Sequence, residues 1–156
     1  MDVEIKWHKP IALTSKKGRY CYKGISGLAM DGPGIYFFAR RYGKKVVPLY
    51  IGRTTHQTLK KRLDQHLDRV SFVKKLEEAL NGGLIYVFGT LVPKKGVKQD
   101  VALKLIETAL IQEVLAENKE LFNEKGAKRP HHTVSFTGNQ VAKTATERKS
   151  MRIRKD

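Results

Sequence analysis

Residues 34–52 read GIYFFARRYGKKVVPLYIG, and this stretch decides the fold. Its first part, 35–40, is rich in aromatic and β-branched residues and predicts a β-strand. The cationic run 40–45 predicts the tip of a hairpin, and 46–51 predicts the returning strand. Pro48 has no amide hydrogen to donate, so we expect the returning strand to contain a bulge or to lie at a sheet edge.

The two tyrosines of this hairpin are predicted to share one face, because side chains alternate across a strand. Four apolar side chains are assigned to the core: Ile35, Phe37, Leu49 and Ile51. Tyr36 and Tyr50 then project to the other side. A tyrosine in such a place is commonly a packing residue with one hydrated end. It can act as a general base only if cations or a metal lower its pKa from about 10.

A helix is predicted over 58–69, because three leucines recur there at every fourth position. These leucines are Leu59, Leu63 and Leu67. Arg62 and His66 are also four residues apart, so they point in the same direction from the helix. A guanidinium group matches a phosphate, and a histidine exchanges protons near neutral pH. The alternative for this pair is a solvated flank in a lysine-rich segment.

Further elements are predicted on both sides of these segments. We expect strands over 3–7 and 84–91 and helices over 72–80 and 98–117, with a candidate short strand at 132–136. Ser71 is expected to cap the second helix. Residues 14–19 are interpreted as a basic loop, and 143–156 as a flexible tail.

Glu107 lies inside the longest predicted helix, among apolar neighbours that include Leu103, Leu110 and Ile111. A carboxylate in such a position is costly to bury without a partner. A divalent metal ion or an arginine would compensate its charge. The alternative is a partly exposed glutamate at the edge of the helix.

The composition favours a polyanionic partner. The 156 residues suggest one domain, and 31 lysines and arginines against 15 acids give a net charge of +16. Such an excess indicates nucleic acid, with a basic protein kept soluble by its charge, or a membrane-surface protein, as alternatives. Cys21 is the only cysteine, which excludes an internal disulfide. No membrane-spanning run or signal peptide is visible, so a cytoplasmic protein is expected.

Taken together, these residues resemble the GIY-YIG nuclease family from about Pro33 to Asn123. In chain order, the matches are Gly-Ile-Tyr at 34–36, Tyr-Ile-Gly at 50–52, Arg62 followed four residues later by His66, Glu107 in a late helix, and Asn123 after it. The resemblance implies an α+β fold in a small single domain, with a central three-stranded antiparallel sheet flanked by helices. The nuclease domain would span 33–125, between an N-terminal extension, 1–32, and a basic C-terminal extension, 126–156, whose last part is flexible.

The resemblance also implies hydrolysis of a DNA phosphodiester with one divalent metal ion, Mg²⁺ or Mn²⁺, bound by Glu107. Tyr36 would activate or orient the attacking water. Tyr50 would position the water or the scissile phosphate.

The remaining matched residues would assist the same reaction. His66 would hydrogen-bond to the tyrosine or relay its proton, and Arg62 would stabilise the charge that develops in the transition state. Asn123 would support these groups.

DNA is the expected partner, and seven cations are its candidate contacts. They are Arg40, Arg41, Lys44, Lys45, Arg53, Lys60 and Lys61. Specificity would come from this domain, from its two extensions or from a homodimer partner. A catalytically inactive nucleic-acid-binding module of the same fold is the alternative function.

Overall fold

The computed structural model describes residues 2–23, 28–79, 81–117, 121–123, 132–138 and 150–153. Within these residues the chain forms eight strands, three α-helices and a short 3₁₀ turn at Leu28–Met30. The strands are β1 (Asp2–Trp7), β2 (Ile11–Lys16), β3 (Arg19–Cys21), β4 (Gly34–Tyr42), β5 (Lys45–Thr54), β6 (Gly83–Leu91), β7 (His132–Gly138) and β8 (Ser150–Ile153). The helices are α1 (Leu59–Leu67), α2 (Val70–Glu78) and α3 (Gln99–Glu117).

The sheet is built around β6. On one side β6 pairs antiparallel with β4, which pairs in turn with β5. On its other side β6 pairs with β1 near its end and with β2 near its start, so that β1 and β2 lie one after the other along the same edge. β3 then adds antiparallel to β2, β7 adds parallel to β1, and β8 pairs antiparallel with β7.

The prediction of a three-stranded sheet is therefore wrong, although the α+β class agrees with the structure. The three expected strands are present as β5, β4 and β6, but the free edge of β6 does not exist. Strands from residues 2–21 cover it, and β7 and β8 extend the same sheet. β1 is an interior strand of the sheet, because it pairs with β6 on one side and with β7 on the other. Its alternating side chains Val3, Ile5 and Trp7 are all buried.

Each face of the sheet carries its own hydrophobic core. α3 packs on one face, where Ile35, Phe37 and Ile51 meet Leu103 and Ile106. α1 and α2 pack on the opposite face through the leucines Leu59, Leu63 and Leu76. Tyr36, Phe38 and Tyr86 line that second face. Tyr36 thus lies on the face opposite Ile35 and Phe37, as the strand alternation predicted, and this face is covered by α1.

A β-bulge in β5 changes the predicted facing of one residue. Phe38 pairs with Tyr50 and Ala39 pairs with Pro48, so Leu49 is the additional residue. Leu49 consequently packs on the α1 side with Tyr36, whereas Ile51 packs against α3. The bulge predicted from Pro48 is confirmed, and the assignment of Leu49 and Ile51 to one face is wrong.

The helices begin close to their predicted positions. Thr58 caps α1 by accepting a hydrogen bond from the Lys61 amide at 3.1 Å. α2 starts at Val70, before Ser71, with Arg69 at the N-cap position and no side-chain cap, so the predicted Ser71 cap is wrong. α3 matches its prediction within one residue.

Two predicted irregular segments contain strands. Residues 14–19, expected to be a loop, form parts of β2 and β3 around a tight turn in which Lys17 and Gly18 have positive φ. Residues 150–153 of the predicted flexible tail form β8, and the rest of that tail lies outside the described residues. The predicted strand at 132–136 is confirmed as part of β7. None of the described helices is both long and apolar enough to cross a membrane.

Candidate functional site

Gly34 begins the Gly-Ile-Tyr motif and Gly52 ends the Tyr-Ile-Gly motif, and a side chain at either position would collide with neighbouring atoms. Gly52 pairs across the sheet with Tyr36, and a Cβ at Gly52 would overlap the Tyr36 hydroxyl. A Cβ at Gly34 would overlap the carbonyl oxygen of Gly89 and come within 2.9 Å of Leu59. These two glycines therefore allow the tyrosine ring and helix α1 to approach the sheet closely.

Two side chains of α1, His66 and Arg62, contact the hydroxyl group of Tyr36, which lies on β4. The hydroxyl oxygen is 2.6 Å from Nε2 of His66, and Nε of Arg62 donates to it at 3.2 Å. Tyr36 and His66 are buried, with 0% and 2% of their surfaces exposed. The prediction that Arg62 and His66 point in the same direction is confirmed.

The hydrogen bond between Tyr36 and His66 depends on the protonation of the histidine ring. A guanidinium group can only donate, so the Tyr36 oxygen is the acceptor for Arg62. The phenolic O–H can donate to Nε2 of His66 when the ring is neutral and carries its proton on Nδ1. Burial, together with the charges of Arg62 and Arg69, lowers the pKa of His66 to about 3, which agrees with a neutral imidazole.

The pKa of the Tyr36 phenol is shifted in the direction opposite to the one that a general base requires. Burial raises the pKa above its ordinary value, and the hydrogen bond and charge of Arg62 only partly oppose that shift. The phenol is therefore neutral at physiological pH. It can accept a proton from water only while its own proton passes to His66.

Tyr50 also contacts the ring of His66 and is half-buried. Its ring centroid is 5.4 Å from that of His66 and 5.0 Å from that of Phe72, both nearly edge-on. Burial raises the pKa of Tyr50, and the charge of Arg62 opposes the shift. Arg62 thus acts on both tyrosines, as expected if the three side chains form one site.

Glu107 approaches from the other face of the sheet. Its Oε2 accepts a hydrogen bond from Nε of Arg53 at 2.9 Å, and the two side chains are 24% and 28% exposed. Burial raises the pKa of Glu107, while the charges of Arg53 and Arg62 oppose the shift. Its negative charge in turn raises the pKa of Tyr36 and of Tyr50. The sequence predicted that a metal ion or an arginine would compensate the charge of Glu107, and the structure places Arg53 beside it.

Asn123 holds the outer edge of β5. Its Nδ2 donates to the carbonyl of Ile51 at 2.7 Å, and its Oδ1 accepts from the amide of Ile51 at 2.9 Å. The amide of Phe122 donates to the carbonyl of Leu49 at 2.9 Å. Residues 121–123 thus satisfy the backbone of β5 on both sides of Tyr50, which gives Asn123 a supporting position.

The donor set of Glu107 is compatible with one hydrated divalent cation. Among the residues that the structure describes, no three histidine, cysteine, aspartate or glutamate side chains come together to bind a metal. Mg²⁺ commonly retains several waters and uses one or two carboxylates together with substrate phosphates. Arg53 bonds one oxygen of the Glu107 carboxylate, Oε2, at 2.9 Å. Glu107 is the one carboxylate among the matched residues, so it would be the protein ligand of such a cation.

Some of the candidate DNA contacts already bond to other residues of the protein, and others are exposed. The guanidinium of Arg40 donates to the carbonyl oxygens of Leu76 at 2.7 Å and Gly82 at 3.3 Å, which ties β4 to the end of α2. Lys60 forms an exposed ion pair with Asp64 at 3.1 Å. The remaining cations of the set, Arg53 aside, are exposed: Arg41, Lys44, Lys45 and Lys61.

Two features of the site were missed from the sequence. Arg53 was assigned to DNA, although it lies two residues after Ile51 and therefore on the α3 face, where Glu107 is. Strand alternation could have identified this pair. The second feature is a cavity lined by Arg69, Lys75 and Phe122, and no sequence pattern joins these three residues.

The candidate residues therefore lie on both faces of the sheet, with Tyr36, His66 and Arg62 on one face and Glu107 on the other. The resemblance to the GIY-YIG family rests on the matched residues and motifs of the sequence alone. No protein-family model, no curated protein and no solved structure matches the chain.

Proposed function

We propose that this protein is a metal-dependent DNA endonuclease that hydrolyses phosphodiester bonds with an attacking water. The single observation that carries the proposal is the Tyr36 hydroxyl, which contacts Nε2 of a neutral His66 at 2.6 Å and Nε of Arg62 at 3.2 Å. This arrangement offers a proton acceptor and a fixed positive charge at one oxygen. The net charge of +16 supports a polyanionic substrate.

In the proposed reaction, Tyr36 takes a proton from the attacking water as its own proton moves to His66. Because burial raises the pKa of Tyr36, the two transfers must be coupled, since a free phenolate would be too costly. Arg62 stabilises negative charge on the Tyr36 oxygen during the transfer and on the phosphate in the transition state. Tyr50 orients the phosphate or the water.

Glu107 would bind Mg²⁺ or Mn²⁺, which would polarise the scissile phosphate and stabilise the leaving oxygen. Arg53 keeps the carboxylate oriented through its bond to Oε2. Asn123 holds β5, and with it Tyr50, through the backbone of Ile51.

We also propose that the protein is located in the cytoplasm. Cys21 is a free cysteine, which suits a reducing compartment. DNA is the proposed partner. A second copy of the chain could provide further recognition.

A catalytically inactive DNA-binding module is the second candidate. The complete burial of Tyr36 favours it, because the hydroxyl has no exposed surface from which to activate water. The ion pair between Arg53 and Glu107 favours it as well, because the arginine already compensates the carboxylate.

A cleavage assay with a matched pair of variants tests the proposed function. Plasmid, branched and single-stranded DNA are incubated with the wild-type protein and Mg²⁺ or Mn²⁺, and nicked and linear products are measured. Glu107→Gln should lower the cleavage rate by about 100-fold or more, the scale for loss of a preorganised charge. DNA affinity should change little, because phosphate contacts elsewhere dominate it.

Glu117→Gln is the control, because it removes the same charge from an exposed position on the same helix. It should cleave at the wild-type rate. Absence of cleavage by the wild-type protein on all three DNAs with both metals, while binding persists, would favour the inactive module.

A further inference from the structure

A cavity of about 430 Å³ opens beside the candidate site, between the start of α2, strand β5 and residues 121–123. Its lining residues include Tyr50, His66, Arg69, Phe72, Lys75 and Phe122. This volume is within the range of small-molecule sites in proteins, about 300–1,000 Å³. The cavity can therefore hold a group as large as one nucleotide.

One wall of the cavity is aromatic. The rings of Tyr50 and Phe122 are half-buried, with centroids 5.5 Å apart and planes inclined by 30°. The buried ring of Phe72 supports both nearly edge-on, at 5.0 Å from Tyr50 and 5.7 Å from Phe122. The exposed parts of Tyr50 and Phe122 form a supported platform on which a nucleobase can stack.

The rim of the cavity is cationic. Arg69 and Lys75 are exposed, and the Nζ of Lys75 lies 5.6 Å from the centroid of the Phe122 ring. No aspartate or glutamate is among the lining residues. A ligand with a flat ring and a neighbouring negative charge can contact both the aromatic wall and the cationic rim, whereas a purely apolar ligand can contact only the aromatic wall.

The position of the cavity connects it to the candidate site. Tyr50 and His66 line the cavity, and Nε2 of His66 also contacts the Tyr36 hydroxyl at 2.6 Å. A nucleotide held there would be next to the phosphate on which Tyr36 and Arg62 are proposed to act.

We infer that this cavity binds one unstacked nucleotide of the DNA substrate, adjacent to the scissile phosphate. Its base stacks on Phe122 and Tyr50, and its phosphate is bound by Arg69 and Lys75. This inference rests on the proposed function and specifies its substrate class, which is DNA with an unpaired nucleotide at the cut. A base that has no pairing partner enters such a pocket most readily, because little stacking and pairing energy opposes it.

DNA binding without cleavage tests the inference. Fluorescence anisotropy is measured in EDTA with the full chain and three DNAs of the same length: a paired duplex, the duplex with one unpaired thymidine, and the duplex with one unpaired abasic unit. The abasic unit keeps the phosphate and the flexibility but lacks the base. The thymidine bulge should bind about 10-fold more tightly than the other two DNAs, which is the scale of one stacked base.

Two variants of the cavity provide independent checks. Phe122→Leu keeps an apolar side chain over Phe72 and removes the stacking platform, so the preference for the thymidine bulge should fall to about two-fold or less. Lys75→Gln should lower the dependence of log affinity on log salt by about one for the bulged DNA. Lys74→Gln is the matched control, because Lys74 is the adjacent exposed lysine and is not among the residues that line this cavity.

Equal affinity of the wild-type protein for the three DNAs would overturn the inference. An unchanged bulge preference in folded Phe122→Leu would also overturn it. Cleavage with Mg²⁺ but no bulge preference contradicts only this inference. A bulge preference without cleavage under any metal condition contradicts only the proposed nuclease activity.

Discussion

Tyr36 is fully buried, and two hydrogen bonds hold its hydroxyl in a defined orientation. A phenol is neutral at physiological pH, and burial raises the pKa of Tyr36 further. Burial, together with the charges of Arg62 and Arg69, lowers the pKa of His66 and keeps its ring neutral. Two neutral groups joined by a short hydrogen bond can move a proton between them without creating an isolated buried charge. At the scale of the residue, the function of this site depends on keeping His66 unprotonated.

The stability of the protein should fall as the pH decreases from about 6.5 towards 3, with part of this loss due to His66. The pKa of His66 is lowered from 6.5 to about 3, first by burial and then by Arg62 and Arg69. Between these values the unfolded chain binds a proton that the folded chain does not, so acid favours unfolding. Above 6.5 the contribution is complete. Thermal unfolding measured at several pH values checks this prediction.

His66→Gln should show a smaller loss of stability over the same pH range, because glutamine keeps an acceptor for Tyr36 but does not titrate. His56→Gln changes an exposed histidine and is the matched control. If wild type and His66→Gln lose stability in parallel, the histidine is not buried in its neutral form.

At this scale the sequence predicted which side chains meet but not their protonation. Arg62 and His66 reach the same oxygen because helical spacing already determines their direction. The sequence shows cations that could lower the pKa of Tyr36, but it does not show the burial that raises it. That burial results from the packing of α1 and α2 over β4.

Among the elements, β5 has the most distinctive surroundings. Among the described residues β4 is its one strand partner, and residues 121–123 satisfy part of its other edge. An open strand edge pairs readily with other chains. Asn123 therefore protects the edge and also fixes the strand that carries Tyr50 and Arg53.

Asn123→Ala should reduce the free energy of unfolding by about 1–3 kcal/mol, because it leaves both backbone groups of Ile51 without their partner. Asn123→Asp retains the acceptor for the Ile51 amide and loses the donor to its carbonyl, so it should be less destabilising than the alanine variant. Chemical denaturation gives both values. A change below about 0.5 kcal/mol in the alanine variant, the level of ordinary surface substitutions, would contradict this role.

The hairpin β4–β5, strand β6 and helix α3 were predicted nearly to their ends, because each has a strong hydrophobic pattern. The bulge was predicted from Pro48, yet the facing of Leu49 was not, because one additional residue reverses the alternation on one side of it. Ser71 failed as a cap because α2 begins one residue before it. Local chemistry thus predicts elements better than it predicts their register.

Over the whole molecule, charge and sheet topology determine the remaining properties. The net charge of +16 includes exposed cations at the tip of the β4–β5 hairpin and on α1. The extension of the sheet beyond β6 could not be predicted, because β1 pairs with strands far away in the sequence. Side-chain alternation identifies β1 as a strand but does not identify its neighbours.

Affinity for duplex DNA should depend strongly on salt. With about six phosphate contacts, log affinity against log salt concentration should have a slope near −5. Filter binding or anisotropy at several salt concentrations measures it. Lys61→Gln should make the slope shallower by about one if this exposed lysine contacts a phosphate. A slope near zero would indicate a ligand other than a polyanion.

The parallel pairing of β1 with β7 has a consequence for how the chain folds during synthesis. β1 lies between β6 and β7, and β7 begins at His132, so β1 is synthesised well before it can gain both neighbours. Pairings between distant segments are slow to form and leave hydrophobic strands exposed meanwhile. β1, with Val3, Ile5 and Trp7 on one side, would then remain a target for chaperones until β7 has been translated.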